Sequence, residues 1–438
     1  LADAQLAVAR AHGFASWARL KHHLEVVGQY RRAPDDVPTP ADPVDAFLTL
    51  ACLRYGDDDS PERWAQARAL LTPDLTRASL PVAAAAADAD AVTAHLRRDR
   101  AGARREAGPY RWEPLLYLAY ARVEADEAAV VGTARLLLDA GADPNAGYLW
   151  HGLPSPFTAL TGALGGGEGD QPRHPHEQAL ARVLLDAGAD PNDGQTLYNR
   201  QFGPDDSHLE LLFAYGLGRG DGGPWRARLG PAADTPEEML GRQLWWAVVH
   251  DLRARVRLLA RHGVDVRRPV TYDGSRRAGD TPATLAAVNG SPELAAELVA
   301  LGSPPPPDDG PEALVAALLA GDRPRIGRLS AHVEEVRRRR PALVVWAVAR
   351  RLPSAVPVLV ELGFDVNALG RSDAPIEQPW ESGLHAAAQS GDVGLVRLLL
   401  DLGASTQIRD ARFGGTPLDW ARHFERVDVA RLLEPLTP

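Results

Sequence analysis

The sequence predicts an all-α fold: a solenoid of stacked helix-turn-helix units with hairpin or turn loops, preceded by N-terminal helical segments. Three observations predict it. The nine-residue string LLDAGADPN occurs twice, at 137–145 and at 184–192. Related endings, a Leu pair or its equivalent followed by Gly, recur along the chain and close on Gly141, Gly188, Gly216, Gly263, Gly302, Gly363 and Gly403. Their separations of 47, 28, 47, 39, 61 and 40 residues fit a unit of about 33 residues with insertions, 61 being two units. Upstream of several endings lies a second element, seen in GDTPATLAAVNG (279–290), ESGLHAAAQSG (381–391) and GGTPLDWARHF (414–424).

Each part of the unit has a local reason. Pro282 and Pro417 follow Thr, where Pro suits a first helical turn whose N–H is unpaired in any case. Ala386, Ala387 and Ala388 give the first helix a small surface that neighbours can approach closely. Leu180, Val183, Leu184 and Ala187 fall at i, i+3, i+4 and i+7 and give the second helix one apolar face. Gly188 ends that helix, and Asp190-Pro191-Asn192 makes a turn.

Together, TPLDWA, GLHAAA and LLDAGADPN resemble the ankyrin repeat, whose pattern contains Thr-Pro-Leu-His and closes with a Leu pair and Gly-Ala-Asp. About ten units are read, starting near 76, 109, 154, 193, 237, 272, 308, 338, 376 and 411, those near 193 and 308 being the most degenerate. Thr-Pro-Leu-His never occurs complete, and several loops are lengthened. The expected organisation is a helical leader at 1–30, a Pro-rich linker at 31–43, a helix pair at 44–75 capping the stack, and the repeat solenoid at 76–438. In the leader, Gly13 breaks the chain, Ser16 is a candidate cap, and Trp17, Leu20 and Leu24 form an apolar stripe. The leader's Gly-Phe-x-Ser-Trp sequence is similar to that of a broad group of bacterial ankyrin proteins.

Composition bounds the chemistry. The 438 residues carry a formal charge of -10, which argues against a generic nucleic-acid or acidic-membrane surface. Cys52 is the only cysteine, so the fold needs no disulfide, and its apolar helix makes it a packing residue. No apolar run approaches the ~20 residues of a membrane span, and the visible start lacks a signal-peptide layout; a cytoplasmic location is expected. Lys21 is the only lysine, and the abundance of Ala, Gly, Pro, Asp and Arg suggests a high-GC bacterial genome.

No catalytic, cofactor or metal constellation is read. His385 sits where the repeat pattern has its His, and the resemblance gives it a structural hydrogen bond to the loop backbone. His174 and His176 lack a third ligand by spacing; His22 and His23 diverge on a helix. GGGEGD (165–170) lacks the Gly-Lys-Ser/Thr of a phosphate loop and reads as a flexible insertion. RRRR (337–340) falls at a helix end, where Arg complements the dipole.

The resemblance implies a non-catalytic scaffold that binds an unidentified protein partner, as a monomer, through the concave face and the hairpin tips. The alternative is an enzyme or small-ligand binder using the long loops at 162–178 and 218–236. The candidate partner-binding residues are the large aromatics and arginines near the tips: Tyr110, Trp112, Tyr148, Trp150, Tyr272, Arg276, Arg277, Arg371, Trp380, Arg412 and Phe413. Against this stands simple packing of the aromatics on neighbouring hairpins. Neither nucleic acid nor membrane is expected as a partner, and no cofactor.

Overall fold

The computed structural model describes residues 2–169, 171–269 and 280–437. Two compact units divide the chain, residues 1–243 and 244–438.

In the first unit, the helices Ala2–Ala11 and Trp17–Tyr30 form the leader. Gly13 takes a φ of 78° between them, and the Ser16 hydroxyl accepts a hydrogen bond from Arg19 N, as a cap should. The buried face differs from the predicted stripe. Leu20 is buried with Ala9 and Phe14, and Val26 is buried with Leu149, Trp225 and Leu229, while Trp17 and Leu24 are exposed. The helix serves two separate apolar clusters, so a single stripe drawn through one face misses the second.

The leader runs into a two-residue strand, Arg31–Arg32, which pairs in parallel with Leu149–Trp150. The strand Gly147–Trp150 also pairs antiparallel with Pro156–Thr158, making a three-stranded ladder. Residues beyond the first strand are tied to the body as well, since Arg54 Nη1 donates to Val37 O at 2.8 Å. The helices Pro43–Ala51 and Pro61–Leu70 follow, capped by Asp42 and Ser60, with Cys52 buried at the end of the first.

Helix pairs then repeat: Leu80–Ala85 with Ala89–Arg98, Pro114–Tyr120 with Glu127–Asp139, Ala159–Leu164 with Glu177–Asp186, and Gly194–Arg200 with Ser207–Ala214. First helices are almost wholly buried, and second helices bury one stripe, such as Leu180, Ala181, Val183, Leu184 and Leu185. Gly141 and Gly188 end their helices at φ of 104° and 97°, which a side chain rarely tolerates. The glycine-rich insertion is not loosely held. Gly165 has a φ of 58°, and a Cβ there would lie 2.7 Å from Arg173 Cα; at Gly166 it would lie 2.8 Å from Asn199 O. Glycine is present because backbone approaches backbone.

The second unit repeats the pattern in Pro282–Val288 with Pro292–Ala300, Pro311–Ala320 with Arg323–Arg328, Leu343–Ala349 with Ala355–Glu361, Gly383–Ser390 with Val393–Asp401, and Pro417–His423 with Val427–Leu433. Thr281, Ser382 and Thr416 cap their helices through the side chain, and Pro282 and Pro417 open the first turn. In the RRRR run, Arg337 pairs with Glu334, Arg339 with Glu312 and Glu335, and buried Arg340 with Glu377 at 2.7 Å. No described helix is long and apolar enough to cross a membrane.

Candidate functional site

The structure separates the candidate partner-binding residues into groups. Tyr110, Trp112 and Tyr148 are each no more than 2% exposed and cannot touch a partner. They belong to an aromatic core: Trp112 lies 4.7 Å from Tyr110, 5.0 Å from Tyr120 and 5.0 Å from Tyr148 between ring centroids. The reason is the ladder. Side chains alternate along a strand, so Tyr148 faces this cluster while Leu149 faces the leader and Trp225; both sides of the hairpin are covered by the chain itself. Trp150 is half-buried against His151 and Phe157. Tyr272, Arg276 and Arg277 lie outside the described residues.

The remaining four, Arg371, Trp380, Arg412 and Phe413, come together at the tips of two successive hairpins in the second unit. The first tip is closed by an antiparallel bridge, Gly370 N to Glu381 O at 2.8 Å and Glu381 N to Gly370 O at 3.0 Å. The buried Glu381 carboxylate accepts from Ser372 N at 2.8 Å, and burial raises its pKa. The second tip is joined to the first by Ala411 N donating to Trp380 O at 2.7 Å. Asp410 organises it. Its carboxylate accepts from the backbone of Arg412, Phe413 and Gly415 and from the Trp420 indole, at 2.9, 2.6, 2.8 and 3.0 Å. Burial works to raise the Asp410 pKa, but these donors outweigh it and hold the carboxyl below its ordinary range.

On this frame the guanidinium carbons of Arg371 and Arg412 lie 3.9 and 4.1 Å from the Trp380 ring centroid, and Arg412 is 5.1 Å from that of Phe413. Arg371 is also held by Asp373, its Nε 2.7 Å from Oδ1. Arg412 is exposed and has no ion pair among the described residues, and Phe413 is 74% exposed. Behind the tips, His385 Nδ1 meets the Ser382 hydroxyl at 2.8 Å and Nε2 meets Gly415 O at 3.0 Å, the loop-backbone bond expected of it. Reading the sequence for hot-spot residue types found the four tip residues but missed Asp410 and Glu381, which position them. The signal for Asp410 was available in DARFGG, an acidic residue followed by glycines where a side chain can hold a turn.

His174 and His176, singled out by sequence, have structural partners. Buried His174 accepts from His176 N at 3.0 Å through Nδ1, and His176 Nε2 meets Ala125 O at 2.7 Å. A different histidine is brought to carboxylates. His151 Nε2 is 2.9 Å from Asp35, its Nδ1 is 3.9 Å from Asp36, and its backbone N donates to Arg32 O at 2.8 Å. These contacts clasp the leader to the hairpin.

The family profile for the ankyrin repeat matches residues 381–411, the stretch that runs from the first tip to the second. The chain is also 39% identical over 80 residues to protein PhlB of Serratia liquefaciens, a match covering 18% of this chain and 32% of that protein. It thus spans about a third of the length of the curated relative it matches. The matched repeat supports a protein-interaction role in general terms. The profile match marks one ankyrin repeat at 381–411, and helix pairs of similar build precede and follow it along the chain.

Proposed function

We propose that the protein is a non-catalytic scaffold that binds a protein partner through the hairpin tips at 370–381 and 410–415, against a partner surface carrying carboxylates. One observation carries this reading: an exposed phenyl ring and an exposed guanidinium without an ion pair among the described residues stand beside Trp380 on a turn locked by Asp410. Aromatic and Arg side chains dominate binding hot spots, and a turn already fixed loses little entropy on binding. Elsewhere the chain supports the same reading by contrast, because the hairpin at 147–158 is covered by the leader and by Trp225.

The test starts from a partner captured from lysate and then purified. Phe413→Ala with Arg412→Glu is expected to weaken its binding by about 30-fold or more, the loss of a typical hot spot, with an unchanged melting temperature. Equal affinity in the double variant would reject this surface.

A further inference from the structure

The first unit encloses a polar cavity of about 70 Å³ where four segments meet. The leader contributes Tyr30 and Arg32, the loop before the helix Pro114–Tyr120 contributes Arg104 to Glu113, the hairpin contributes Asp143 to Tyr148, and the insertion at 218–236 contributes Arg228. A single water needs only about 10–15 Å³ of such space, so the cavity has room for a larger group.

Its walls hold polar atoms that the fold leaves without partners. Trp112 Nε1, the Tyr148 hydroxyl and Glu113 Oε2 are buried with no hydrogen bond, and Trp112 and Tyr148 are each 1% exposed. Buried donors of this kind are costly unless something accepts from them. The charges are also unbalanced. Arg32 and Arg111 face Glu106, at 2.8 and 3.5 Å; Arg104 and Arg228 face Asp143, at 3.8 and 3.7 Å. Glu113 is the third carboxyl group of the lining, so guanidinium groups outnumber carboxyl groups whether or not Glu113 is protonated.

We propose that this cavity is a binding site for a small oxyanion, a carboxylate or phosphate group taken from solution or presented at the end of a partner's chain. The indole N–H, the phenol and a protonated Glu113 would donate to it, and the excess of guanidinium supplies the charge. A cation would meet the opposite field. Because Tyr30 and Arg32 belong to the leader, an occupied site also ties the leader down.

The experiment uses the full chain. Melting temperature is followed during titration with sodium acetate and sodium phosphate against sodium chloride at matched ionic strength. A short peptide with a free C-terminal carboxylate is compared with its amidated twin by calorimetry. A saturable rise with acetate or phosphate supports a solution ligand; binding of the free-acid peptide alone supports a presented carboxylate. Tyr148→Phe, which keeps the ring, and Arg228→Gln, which is partly exposed and safe for folding, should each weaken binding by about tenfold, the worth of one such bond. Binding should strengthen between about pH 8 and about pH 6, and Glu113→Gln should flatten that dependence. No saturable effect of any oxyanion, or equal binding by both variants and wild type, would show that the cavity holds water only.

Discussion

Glu113 shows how much one residue can decide. Burial first, and Asp143 second, push its carboxyl up to about 7. The folded chain therefore binds more protons than the unfolded chain from the ordinary glutamate range up to neutrality. The associated stability is present at low pH and is lost as pH rises through about 7. Glu113→Gln should raise the urea stability at about pH 8 by on the order of 1–2 kcal/mol, discounted for partial exposure, and change it little at about pH 5. Parallel pH slopes in the two proteins would show that Glu113 is not the titrating group. The same scale marks a limit of sequence reading. Tyr148 and Phe413 are both aromatics just beyond a repeat ending, and nothing local distinguishes them. One is buried among rings supplied by the preceding helix pair and its loop, Trp112 and Tyr120; the other stands 74% exposed at a tip.

Among elements, helices and caps were the most legible. Thr281-Pro282, Ser382 and Thr416-Pro417 carry their cap chemistry in consecutive residues, and Gly141 and Gly188 mark helix ends by type alone. The glycine run at 165–167 was not legible, because glycine reports permission for an unusual backbone and not whether packing uses it. The frame of the tip cluster was also hidden: residue type pointed to Arg371, Trp380, Arg412 and Phe413, but the hold that Asp410 and Glu381 exert depends on geometry. Asp410→Ala strips the acceptor from four donors at once. It should destabilise the chain by about 2–3 kcal/mol, as for hydrogen bonds to a charged group, and weaken partner binding without altering a contacting side chain. Denaturant melts and binding to the purified partner measure the two effects; full affinity despite lost stability would mean the turn need not be preformed.

For the whole molecule, the recurring Leu-pair endings were enough to predict stacked helical pairs, since each pair must bury its apolar face on the next. Two compact units were not foreseen, because repeat spacing says nothing about where contacts thin out. Unfolding in denaturant should not be a single two-state transition: tryptophan fluorescence and far-ultraviolet circular dichroism should give non-coincident curves. Asp410→Ala should shift only the part of the curve belonging to residues 244–438. Coincident curves in every variant would show one cooperative block.

The leader's attachment has a consequence in time. Tyr30 packs against Trp225 at 5.0 Å between ring centroids, and Arg31–Arg32 pairs with Leu149–Trp150. A ribosome adding roughly 5–20 residues per second makes Trp225 roughly 10–40 s after Tyr30. Throughout that interval Tyr30 waits for its ring partner, and the strand at 31–32 waits for Leu149–Trp150 over the earlier part of it, so the leader is held in place only well after it is made.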